Sequence, residues 1–112
     1  MIIFIDYQPF SLFTHAYLVP DNGGQMTSTN IAFRCKSNVG DLVKSIAETI
    51  EASPNNEGIV FYVRAPEVFY DELITFARPV LKNYSARNIT FKYLDEPNLP
   101  VSMEITTNEL ST

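Results

Sequence analysis

The sequence predicts an α/β domain: a single mixed sheet of five or six strands with two helices, in the order β-β-β-α-β-α-β with or without a final strand. Three observations predict it. Two uninterrupted apolar runs, Ile2-Ile3-Phe4-Ile5 and Ile59-Val60-Phe61-Tyr62-Val63, read as strands in the middle of a sheet, covered on both faces. Two other stretches repeat apolar residues every three to four positions, the period of a helix face. The rest of the apolar residues lie in short alternating segments closed by proline, asparagine and glycine.

The first strand runs from Met1 to Ile5 and ends in Asp6. Pro9 stops it, since proline cannot donate to a ladder. The second strand spans Leu12 to Val19 and is rich in aromatic and β-branched residues. Pro20 closes it, and Asp21-Asn22-Gly23-Gly24 follows as a hairpin turn. The third strand covers about Thr27 to Lys36, with Ile31, Phe33 and Cys35 facing a core and Ala32, Arg34 and Lys36 facing water. These three strands form an antiparallel meander.

The first helix is the clearest element. Val39, Leu42, Val43, Ile46, Ala47 and Ile50 share a face, Ser37 or Asn38 caps the start, and Ser53-Pro54-Asn55-Asn56 ends it. The fourth strand, Gly58 to Val63, leads through Ala65-Pro66 into the second helix. There Phe69, Leu73, Phe76 and Val80 make the expected buried stripe, with Pro79 inside it and helical character to Leu81 or Tyr84. The fifth strand is Ile89 to Leu94. Val101, Met103 and Ile105 then alternate in a segment that is either a short edge strand or a strip that pairs with a partner. One domain over residues 1–107 is expected, with 108–112 frayed.

Composition narrows the function classes. The net charge of -5 opposes binding to nucleic acid by charge alone, unless bases such as Arg34, Lys36 and Arg64 gather into a local groove. With Cys35 the only cysteine, neither an intrachain disulfide nor a multi-cysteine zinc site can form. The apolar start is too short for a signal peptide, and no segment reaches the roughly 20 apolar residues that span a bilayer. A soluble cytoplasmic protein without membrane contact is the expectation.

The order of elements, Asp6 at the end of the first strand, and Asp95-Glu96 after the fifth together resemble the ribonuclease-H-like fold, and within it the Holliday-junction-resolvase branch. That resemblance implies that Asp6, Asp95 and Glu96 act as catalytic acids. It also implies that Asp6, Asp95 and Glu67 hold magnesium for phosphodiester hydrolysis. The pattern is incomplete. Gln8 stands where the family has a glycine, Val63-Arg64-Ala65 replaces a further acid, and the closing helix is missing.

The residues alone read more simply. Asp6 is a strand-end carboxylate, Asp95-Glu96 an acidic turn, and Glu67 a partner for the positive end of a helix. His15 and Cys35 read as packed residues, and Tyr62, Tyr70, Tyr84 and Tyr93 as core. The expectation is therefore a non-enzymatic protein-interaction or regulatory module, of the kind found among small viral or mobile-element regulators. It needs no cofactor and binds a protein partner or itself. Its contact residues are expected to be Leu12, Phe13 and Tyr17 in the hairpin and Val101, Met103 and Ile105 in the tail. The alternative is the magnesium-dependent nuclease.

Overall fold

In the computed structural model, residues 1–19 and 30–94 are described in full, and residues 100–106 by their backbone. The elements are β1 (Ile2–Asp6), β2 (Phe13–Val19), β3 (Ile31–Lys36), α1 (Val39–Ala52), β4 (Ile59–Arg64), α2 (Glu67–Leu81), β5 (Ile89–Leu94) and β6 (Pro100–Thr106). They build one six-stranded sheet in the order β3-β2-β1-β4-β5-β6. β2 runs antiparallel to both its neighbours, β1, β4 and β5 are parallel, and β6 returns antiparallel on the far edge. The hairpin turn and the acidic turn expected from sequence lie outside the described residues, as does the expected frayed tail at 108–112.

Both helices lie on one face, for a topological reason. β3 connects through α1 to β4, and β4 through α2 to β5. The two crossovers move the same way across parallel strands, and right-handed crossovers of one direction place their helices on one side. Strand burial alternates accordingly. Ile3, Ile5, Ile59, Phe61, Val63, Ile89, Phe91 and Tyr93 are buried under the helices, while Ile2, Phe4, Val60, Tyr62, Thr90 and Lys92 are only half-buried. The expectation that β1 and β4 are covered on both faces is thus corrected. They are central strands, but no described helix lies on their second face.

Local chemistry sets the helix ends. The Asn38 side chain accepts from the Asp41 backbone N–H at 2.8 Å, the N-cap expected from sequence. The last turn of α1 carries no basic residue of its own. Arg87, arriving before β5, fills that role. Its guanidinium donates to the carbonyls of Ile50 at 3.0 Å and Pro54 at 2.9 Å.

α2 keeps its predicted length, passes through Pro79 and ends in a 3-10 turn over Lys82–Tyr84. Its buried face differs from the expected one in part: Leu73 is buried and Phe69 and Val80 pack half-buried against the core, but the face is centred elsewhere. Tyr70, Leu73, Ile74, Ala77 and Leu81 are buried, whereas Phe76 is 55% exposed. Apolar residues surround so much of this helix that two neighbouring stripes share Leu73, and only packing chooses between them. In β3 the register shifts between Ala16 and Tyr17 of its partner strand. The clean alternation expected there is therefore lost, Ile31 being exposed while Cys35 stays buried.

Candidate functional site

Asp6 ends β1 in the middle of the sheet, on the face without helices. Its register partners are His15 on β2 and Arg64 on β4, and His15 in turn stands opposite Arg34 on β3. One row across four strands therefore reads Arg34, His15, Asp6, Arg64. Gln8 folds back so that its Nε2 donates to Asp6 Oδ1 at 2.8 Å.

Among the described residues no three His, Cys, Asp or Glu side chains gather closely enough to hold a metal ion. Glu67 sits in the first turn of α2, exposed, where a carboxylate complements the helix dipole. Asp95 and Glu96 lie outside the described residues. Around Asp6 the structure places the Gln8 amide donor and, across the register, His15 and Arg64. Burial pushes the Cys35 thiol up, the main cause, and a nearby Asp41 charge adds to it. The thiolate needed for nucleophilic chemistry is thereby disfavoured.

The connection between β1 and β2 is the most unusual surface feature. Gln8 C=O accepts from the Ser11 N–H at 3.0 Å, closing a β-turn with Pro9 at its second position. The loop is tied down on both sides. Tyr7 N–H donates to Arg64 C=O at 3.0 Å, and Ser37 N–H donates to Leu12 C=O at 3.1 Å. Beneath it the fully buried Thr14 accepts from Gln8 N–H at 3.2 Å and shares a hydrogen bond of 2.9 Å with Ser37 Oγ. A turn held this firmly presents Phe10 and Leu12 to solvent, 91% and 83% exposed. The Phe10 ring meets the Phe69 ring edge-on at 5.8 Å, and Tyr7 meets Phe69 at 6.1 Å. Val68, also exposed, lies next to Phe69 at the start of α2.

Of the residues expected to make contacts, Leu12 is exposed on this loop, two residues from Phe10. Phe13 and Tyr17 point instead to the open sheet face, where Arg34 lies 4.4 Å over the Phe13 ring and Tyr17 stacks with His15 at 6.4 Å. Val101, Met103 and Ile105 lie on β6, which pairs with β5 as an edge strand. Their side chains are outside the described residues. Sequence reasoning missed Phe10. The signal was present as a large aromatic directly after Pro9 in a turn, where loops ordinarily place small polar residues.

The four tyrosines read as core divide. Tyr70 and Tyr93 are buried and in contact, with ring centres 4.8 Å apart. Tyr84 packs half-buried against the core, with its hydroxyl on Glu51. Tyr62 lies on the open face beside the Lys92 ammonium, 5.6 Å from the ring. No described helix is long and apolar enough to cross a membrane. Comparison with protein-family models, with curated proteins and with solved structures found no match.

Proposed function

We propose that this chain is a non-enzymatic protein-interaction or regulatory module that engages its partner through the apolar rim of Phe10, Leu12 and Val68. The observation that carries the reading is the near-complete exposure of Phe10 and Leu12 on a loop that is hydrogen-bonded at both ends. A flexible loop could fold such side chains away. Here the anchored backbone keeps them out, so the cost of ordering them has been met before any partner arrives. Fully burying a Phe and a Leu contributes about 1.5–3 kcal/mol each, enough for a small hot spot.

The strand order β3-β2-β1-β4-β5 with β2 antiparallel supports a ribonuclease-H-like scaffold for this module. On this reading the protein acts in the cytoplasm without a cofactor, as small regulators of viral or mobile-element origin do. The environment of Asp6 supports a structural rather than a metal-binding role.

The test pairs two variants. In an affinity capture from the organism of origin, with sedimentation to detect self-association, Phe10→Ser/Leu12→Ser loses the partner and Asp6→Asn retains it. Magnesium-dependent cleavage of branched or single-stranded nucleic acid, lost in Asp6→Asn, would replace this reading with the nuclease one.

A further inference from the structure

The face of the sheet opposite the helices carries a second, independent feature. Cross-strand register places Tyr17, Phe4 and Tyr62 side by side on β2, β1 and β4, with Lys92 next in line on β5. At the ordinary strand spacing the three rings form a row about 10 Å long. All three are half-buried rather than sealed, so part of each ring reaches solvent.

Among the described residues, charge is sorted between the helices and the open sheet face. The helices together hold six acids, Asp41, Glu48, Glu51, Glu67, Asp71 and Glu72, against two bases, Lys44 and Arg78. The described strand residues of the open face hold four bases, Arg34, Lys36, Arg64 and Lys92, against one acid, Asp6. Glu104 is the register partner of Lys92 at the β6 edge, so the positive character is strongest toward β3. An acidic chain thus concentrates half of its eight Lys and Arg residues around a row of aromatic rings.

From this juxtaposition we infer that the open sheet face binds single-stranded nucleic acid, its bases stacked on Phe4, Tyr17 and Tyr62 and its phosphates met by Arg34, Lys36, Arg64 and Lys92. Rings on a sheet face take unstacked bases, and flanking cations track the backbone without reading sequence. A duplex fits poorly, because its bases are already stacked and their faces unavailable. An acidic protein segment would use the cations but gains nothing specific from three rings in line. Binding here involves no bond cleavage and does not rest on the apolar rim.

The test is fluorescence anisotropy with labelled oligouridylate and oligothymidylate, a blunt DNA duplex, and polyglutamate as competitor, at about 50 mM salt where phosphate contacts are strong. The single strands bind, the duplex binds more weakly, and affinity falls steeply with added salt. Phe4→Ala and Tyr62→Ala each weaken binding about 5- to 150-fold, the range for losing one stacked base. Arg34→Gln lowers the salt dependence. Phe10→Ser/Leu12→Ser leaves all of this unchanged. Because Phe4 also packs within the sheet, Tyr17→Leu serves as a second ring variant, and circular dichroism verifies folding of each.

Three results would overturn the inference. One is no anisotropy change up to about 100 µM protein, the weak end of the usual range of non-specific binding. Another is equal affinity for duplex and single strand. The third is binding that polyglutamate abolishes at matched charge while the ring variants leave it intact, which would assign the face to an acidic protein.

Discussion

Replacing Tyr70 by phenylalanine should stabilise the protein, and most of all in alkali. Tyr70 is fully buried on the inner face of α2, with its ring against Tyr93, and among the described residues its hydroxyl has no hydrogen-bond partner. An unsatisfied buried hydroxyl costs roughly 1–3 kcal/mol, while the ring contact survives the substitution. At neutral pH the expected gain is therefore about 1 kcal/mol, or about 4 °C in Tm for a domain of this size.

The pH dependence follows from the same burial. It pushes the Tyr70 phenol up to about 12, with the Asp71 charge adding to the effect. The unfolded chain ionises near the ordinary tyrosine value of about 10. Because the folded value is the higher one, stability is complete below about pH 10 and drains away as pH rises toward 12. Two pH units correspond to about 3 kcal/mol. Urea unfolding followed by circular dichroism between pH 7 and pH 11 measures both effects. The difference between wild type and Tyr70→Phe isolates this residue from the other tyrosines. A variant less stable by more than about 1 kcal/mol at pH 7, or one with the same alkaline loss as wild type, would refute the reasoning.

Other perturbations probe the parts that position the rim. Arg87→Met removes the donors to the Ile50 and Pro54 carbonyls and should cost about 1–3 kcal/mol, with amide exchange rising first at the end of α1. Thr14→Val keeps the shape but strands Gln8 N–H and Ser37 Oγ, so it should cost about 1–3 kcal/mol and weaken partner binding by loosening the loop. Phe61→Ala opens a cavity beside Phe91, whose ring centre is 5.1 Å away, and should cost about 3–5 kcal/mol in urea unfolding. Phe10→Ser/Leu12→Ser should change stability by less than about 0.5 kcal/mol, because side chains so exposed contribute little to folding.

Much of the fold could be read from the sequence because several signals agreed. In α1 the apolar spacing, the Asn38 cap and the Ser53-Pro54 stop all pointed to one helix, and each lies where expected. The apolar runs of β1 and β4 correctly marked the centre of the sheet. Those runs misled about the second face. A continuous apolar strand looks the same whether a helix covers it or neighbouring rings shield it, and Phe4 is half-shielded because Tyr17 and Tyr62 flank it. α2 misled at Phe76 alone, which continues the regular stripe of Phe69, Leu73 and Val80 yet lies exposed, while Leu73 is buried and Phe69 and Val80 pack half-buried against the core.

The candidate site was less legible than the fold. Asp6 drew attention by its place in the chain, yet its meaning depends on His15 and Arg64, which only register brings beside it. The same holds for Arg34, Lys36, Arg64 and Lys92. They are scattered in sequence, and strand order collects them on one face. Phe10 was overlooked because exposure is a property of the turn that carries it. That turn depends on hydrogen bonds to Arg64 and Ser37, far along the chain.

The central claim is that the rim of Phe10 and Leu12 binds a protein, and quantitative affinity capture from the organism of origin tests it most directly. Wild type and Asp6→Asn should recover the same partner, or the same self-associated species, in equal yield. Phe10→Ser/Leu12→Ser, folded and equally stable, should recover none. Equal recovery by all three proteins would contradict the claim.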